Sequence, residues 1–153
     1  MLTKPKAGWT DFSLSGTSVY SLSYLDDIAF EWIEQAIHGL DVLLPFCVKG
    51  FLEPGRMLCT VSYWNCHIIL ERDGRSPLEK REISLDYSHT SMLDFCRSLY
   101  DDISSHVDDW ASFVDYNEYD IGEKRKELLR KLEILQKLIF EKTVYFGEDR
   151  CFL

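Results

Sequence analysis

No apolar run in this 153-residue chain approaches the roughly 20 residues needed to span a bilayer. The first eight residues, Met1 to Gly8, carry two lysines and a proline and lack the apolar stretch of a secretory signal. Export and membrane insertion are therefore unmarked, and a cytoplasmic chain is the expectation. Proline and glycine are scarce, at four and eight, so there is no flexible linker and no collagen-like or low-complexity segment. No CxxC pair occurs among Cys47, Cys59, Cys66, Cys96 and Cys151. Their number is odd, and most sit in apolar stretches where a thiol behaves as a small hydrophobe. Reduced, buried thiols are expected, with no disulfide framework.

The motifs of several chemistries are missing as well. Neither GxxxxGK nor GxGxxG is present to cradle phosphate, and no GxSxG elbow presents a nucleophile. Zinc needs ligands at short spacing. Of His38, His67, His89 and His106, only His67 adjoins a cysteine, and neighbouring strand residues point to opposite faces. Paired carboxylates do occur, at Asp26-Asp27, Asp101-Asp102 and Asp108-Asp109. Each pair falls at a helix end or on a wet face, where a carboxyl keeps its ordinary acidity and makes a poor general acid. The expectation is a non-enzymatic domain with no cofactor and no metal.

What the chain does have is apolar material and negative charge. Hydrophobic residues make up 46%, including nine Phe, eight Tyr and four Trp. That supports a real core, since a domain of about 150 residues buries roughly 70% of its unfolded surface. The net charge is −9, unevenly spread. Residues 1–44 balance at −4 and residues 45–89 at zero. Residues 90–121 hold eight acids and only Arg97, whereas residues 122–153 balance at +2. An acidic surface repels phosphate backbones, which argues against nucleic acid and for a basic partner.

Periodicity predicts one α+β domain over residues 1–153, with 122–153 as a C-terminal helix and tail. Residues 9–24 alternate as two short strands around Ser15-Gly16-Thr17. Residues 26–44 predict a helix with Ile28, Ala29, Trp32, Ile33, Ala36, Ile37, Leu40, Leu43 and Leu44 on its buried stripe, begun by Asp26 or Asp27 and ended by Pro45. Residues 46–87 predict a three-stranded meander with a type II turn at Glu53-Pro54-Gly55-Arg56. Its middle strand, 57–72, changes parity: Cys59, Val61 and Tyr63 share one face, then Cys66, Ile68 and Leu70 the other. That implies a bulge near Trp64-Asn65. A helix over 91–107 starts at Thr90 or Ser91, and a last helix over 122–142 carries Leu128, Leu129, Leu132, Leu135, Leu138 and Ile139. The predicted order is ββ-α-βββ-α-α: an antiparallel sheet of about five strands with helices on one face.

The functional signal is an acidic, aromatic segment. Asp101, Asp102, Asp108, Asp109, Asp115, Glu118 and Asp120 surround Trp110, Phe113, Tyr116 and Tyr119. Acids supply long-range attraction and rings supply desolvated anchors. Trp110 and Phe113 stand equally as core residues, which would leave only the acids facing water. Tyr63, Trp64, His67 and Tyr87 are candidates to line a pocket between the sheet and the first helix, the mark of a small-ligand or catalytic domain. A third reading makes the last helix a self-association seam in a homodimer.

Trp9-x-x-Phe12, then Ser23-Tyr24-Leu25-x-Asp27 leading into an apolar helix, a strand meander and a helix centred on Phe95 together resemble small bacterial immunity proteins of polymorphic toxin systems. The resemblance spans residues 9–110. It implies an antitoxin that plugs a basic toxin, often a nuclease, and it transfers no individual residue.

Overall fold

A computed structural model describes residues 1–72, 83–114 and 118–146, leaving aside the side chains of residues 118 and 119. Among these residues six strands and four helices follow in the order β1 Trp9–Phe12, β2 Tyr20–Ser23, α1 Ile28–Val42, β3 Phe46–Phe51, β4 Arg56–Val61, β5 Cys66–Glu71, β6 Ile83–Ser88, α2 Met92–Ser104, α3 Val107–Ala111 and α4 Glu118–Phe146. The α+β class is as the periodicity predicts. The strands form two antiparallel sheets, a β1-β2 hairpin and a four-stranded β3-β4-β5-β6 meander.

The extra strand comes from the parity change at Trp64-Asn65. It marks a turn and not a bulge: Ser62 N–H donates to the Asn65 carbonyl at 2.9 Å, and β4 folds back on β5 with Val61 opposite Cys66. Cys59 and Cys66 thereby return to the same inner face, since side-chain parity restarts after the turn. The preceding turn is also shifted from the predicted type II placement. Leu52 N–H closes on the Gly55 carbonyl around Glu53 and Pro54, and the Glu53-Pro54 bond is cis.

Trp32 is the centre of the core. Its ring is fully buried, meets Phe12 of the hairpin edge-on at 5.1 Å, and stacks on Phe95 of α2 at 6.1 Å. Phe95 in turn meets Phe46 of β3 at 5.8 Å. One indole thus joins hairpin, helices and sheet. Ile28, Ala29, Ile33, Ala36 and Leu40 complete the buried stripe of α1, as their 3.6-residue rhythm requires. α1 ends with Leu43 in the left-handed region before Pro45. Asp27 is the residue at the start of α1, although its side chain makes no capping hydrogen bond.

The predicted 91–107 helix is α2, which ends at Ser104, and the five-residue α3 falls past it, in the acidic stretch where the sequence suggests only a loop or short turn. Ser91 caps α2 by accepting from Asp94 N–H. The chain then breaks at Ser105-His106, and α3 turns Trp110 into the core. α4 is longer than predicted at 29 residues. It buries Leu128, Leu132, Leu135 and Leu138 and leaves Leu129 40% exposed. It runs parallel to α1, as three cross-links in step reveal: Lys124 to Asp27 at 3.0 Å, Lys131 to Glu34 at 2.7 Å, and Lys142 to the Asp41 carbonyl at 3.5 Å. No helix among the described residues is long and apolar enough to cross a membrane. Of the tail, Phe146 packs on Tyr63 and Trp64 as a docked segment would, and residues 147–153 lie outside the described residues.

Candidate functional site

Among the described residues, the two rings of the acidic segment turn into the core and away from its acids. Trp110 is fully buried, with its indole N–H donating to the Asp102 carbonyl at 3.4 Å, and Phe113 packs beside it at 5.3 Å and 3% exposure. Both rings are core, so neither can anchor a partner. Four of the acids are tied to local cations or amides. Asp102 accepts from Leu2 N–H at 2.7 Å and sits 3.3 Å from the Met1 amine. Asp108 pairs with Arg125 at 2.7 Å, Asp109 with Lys4 at 3.8 Å, and Asp94 with Arg97 at 3.6 Å. Asp101 and Asp120 are exposed. Asp115 and Tyr116 lie outside the described residues, and Glu118 and Tyr119 are described only as the first turn of α4.

The four pocket candidates divide into two separate places. Tyr63 and Trp64 lie in the β4–β5 turn against Phe146 of α4, and the Tyr63 hydroxyl donates to the Leu43 carbonyl. His67 and Tyr87 stand side by side on the sheet face that points away from α1, with ring centroids 5.0 Å apart. The Tyr87 hydroxyl shares a 3.2 Å hydrogen bond with His89 Nδ1. No chamber between sheet and first helix gathers these residues, because strand parity turns His67 and Tyr87 outward.

That outward face is the surface the sequence reading missed. Pairing aligns three rows across it: Cys47, Thr60, His67 and Tyr87; then Lys49, Leu58, Ile69 and Leu85; then Phe51, Arg56, Glu71 and Ile83. An antiparallel sheet covered on one side normally turns polar residues to water. Here the middle row is aliphatic over three strands, and Leu85 is 79% and Ile83 50% exposed. The face carries little net charge, since Arg56 pairs with Glu71 at 2.7 Å and Lys49 approaches Asp26 at 3.6 Å.

The same surface continues around the β3 edge into a groove of about 400 Å³ against α1, lined by Glu31, Trp32, Glu34, Gln35, Cys47, Val48, Lys49 and Leu58. Burial, then the nearby Asp26 carboxylate, push the Glu31 carboxyl above its usual range. Among the described residues Glu31 has no ion-pair partner, and Asp26, 6% exposed, keeps its Oδ2 buried without a hydrogen bond.

Among the described residues no group of three or more His, Cys, Asp or Glu side chains could hold a metal. Cys59, Cys66 and Cys96 are buried, while Cys47 is exposed. A hydrogen bond to Cys66 and burial push the Cys59 thiol up, and burial pushes up Cys96, which keeps both thiols protonated and inert. The chain matches no family model, no curated protein and no solved structure.

Proposed function

We propose that this is a non-catalytic protein-binding domain that docks a basic protein against the outer face of its four-stranded sheet. The aliphatic row of exposed Leu85 with half-buried Ile69 and Leu58 carries this reading. Exposed apolar surface of this kind is costly to keep in water and marks interaction sites. Burying Leu85 alone contributes roughly 1.5–3 kcal/mol, less the cost of ordering it.

Charge selects the partner. The docking face is close to neutral, whereas the whole chain carries −9. The long-range field therefore draws a cationic protein while the aliphatic row holds it. A second copy would bring −9 against −9, which opposes self-association through this face. The resemblance to immunity proteins suggests the partner's class: a basic toxin, neutralised by a bound acidic domain.

The test compares variants in capture from the native host's extract. Leu85→Lys removes the apolar anchor from an exposed position, so the fold survives. Asp101→Lys reduces the acidic field elsewhere. A partner held by wild type and Asp101→Lys but lost at least tenfold by Leu85→Lys supports the reading. A partner indifferent to Leu85→Lys eliminates the sheet face as its dock.

A further inference from the structure

We infer that the groove between α1 and the β3 edge is a strand-addition site for an extended segment of the partner protein that carries a lysine or arginine side chain. This rests on the reading that the domain docks a basic protein, and it adds a second place and a mode of binding.

The main chain of β3 leaves an edge open to a further strand. In an antiparallel pair, alternate residues turn both their N–H and C=O toward the neighbour or both away from it. Leu52 N–H bonds the Gly55 carbonyl, so the even-numbered residues of β3 face β4. The odd-numbered residues Cys47 and Lys49 therefore turn their main-chain groups off the sheet. The Trp32 indole supports this phase independently, since it donates to the Lys49 carbonyl at 2.8 Å from the α1 side. β3 is the terminal strand of the sheet, with no described strand beyond it. Among the described residues the Cys47 N–H, the Cys47 carbonyl and the Lys49 N–H have no hydrogen-bond partner and form a short ladder fragment beside the groove. Such edges are templates for pairing with another chain, and proteins that bind extended peptides use them so.

Four carboxylates gather along α1 and just before it: Asp26, Asp27, Glu31 and Glu34. Three cations answer them, Lys49 at Asp26, Lys124 at Asp27 and Lys131 at Glu34. Glu31, on the groove wall, is left over. A cation from an added strand would complete the set. Neighbouring strands lie about 4.8 Å apart, so a side chain from a strand beside β3 reaches the wall where Glu31 stands. Leu58, on the outer side of the same groove, is open to apolar side chains of the same segment. An acidic segment would meet repulsion from Glu31 and Glu34 at once.

The experiment is an NMR titration of the full chain with three blocked pentapeptides: acetyl-Val-Arg-Val-Arg-Val-amide, its glutamate counterpart, and the arginine peptide N-methylated at alternate amides. Expected are shifts at the Cys47, Lys49 and Glu31 amides with the arginine peptide, at least tenfold weaker binding of the other two, and about fivefold weaker binding to Glu31→Gln. Equal binding of the glutamate peptide, indifference to N-methylation, or no shift at Cys47 and Lys49 overturns the proposal. Leu85→Lys separates it from the reading it rests on. Groove shifts kept in a protein whose capture is unaffected by Leu85→Lys would sink only the sheet face. A lost capture with a silent groove would sink only the strand-addition site.

Discussion

Asp86 shows how much one polar side chain can organise. It points inward from β6, and its carboxylate accepts from Ser18 N–H at 2.9 Å, the Tyr20 hydroxyl at 2.8 Å and its neighbour Tyr87 N–H at 3.0 Å. Burial works to raise its pKa, but the three donors outweigh burial and hold it below the ordinary carboxylate value of 3.8. The Tyr20 phenol is correspondingly pushed up to about 12, by burial first and by Asp86 second. This residue fastens the β1-β2 hairpin to the far edge of the main sheet, a contact between residues 66 to 68 positions apart. Asp86→Ala should cost about 1 kcal/mol, since the site is partly solvated and screening limits the loss. A depressed folded pKa means that the contribution is present above the ordinary carboxylate range and lost as pH falls through the folded value. Urea unfolding should therefore separate wild type from Asp86→Ala at neutral pH and bring them together in strong acid. A gap that persists there would assign the effect to packing instead of the carboxylate.

Among the elements, α1 and β3 are held in closest contact by Gly39. A Cβ at this position would stand 2.2 Å from the Phe46 ring and 3.1 Å from the Leu44 carbonyl. Helix propensity favours alanine over glycine by about 1 kcal/mol, yet the clash must move the first residue of β3. We expect Gly39→Ala to destabilise by about 1–3 kcal/mol, read as a lower midpoint in thermal unfolding. An unchanged or raised midpoint would show that β3 can retreat freely from α1, and the groove beside it would then have no fixed walls.

The same elements show what could be read ahead of the structure. The stripe of α1 was plain, because Ile28, Trp32, Ala36 and Leu40 repeat at helical spacing and Pro45 stops the chain. The β4–β5 turn was obscured because Ser62-Tyr63-Trp64-Asn65 contains no Gly or Pro and two good strand formers. A single parity change reads equally as bulge or turn, and long-range pairing decides between them. The break between α2 and α3 likewise lacks a breaker residue. It follows from Trp110 turning into the core, a tertiary demand that local propensity does not express. The expected 122–142 falls short of α4 at both ends, and at the first end Gly122 looks like a boundary although a side chain there would meet open space.

At the level of the whole molecule, net charge and composition were readable, but the location of function was not. The acids of residues 90–121 looked like a face because they are neighbours in sequence. In the fold Asp94, Asp102, Asp108 and Asp109 pair with Arg97, the chain's amino terminus, Arg125 and Lys4, while Asp101 and Asp120 face water. The aliphatic row is the converse. Leu58, Ile69 and Leu85 come from three strands and look ordinary one at a time. They become a surface only once the register aligns them and the helices cover the opposite side. A polar residue expected at each outward position is absent at all three, and that departure from alternation is the only local signal of a docking face.

Hydrogen exchange on the free chain and on its complex with the captured partner tests this account most directly. We predict that protection on binding concentrates in β4, β5 and β6 and at the Cys47 and Lys49 amides of β3, with the amides of Ile69 and Leu85 among those most slowed, while α2 and α3 exchange as before. Protection confined to Asp101 through Asp109, with the sheet unchanged, would contradict it and return the partner to the acidic helices.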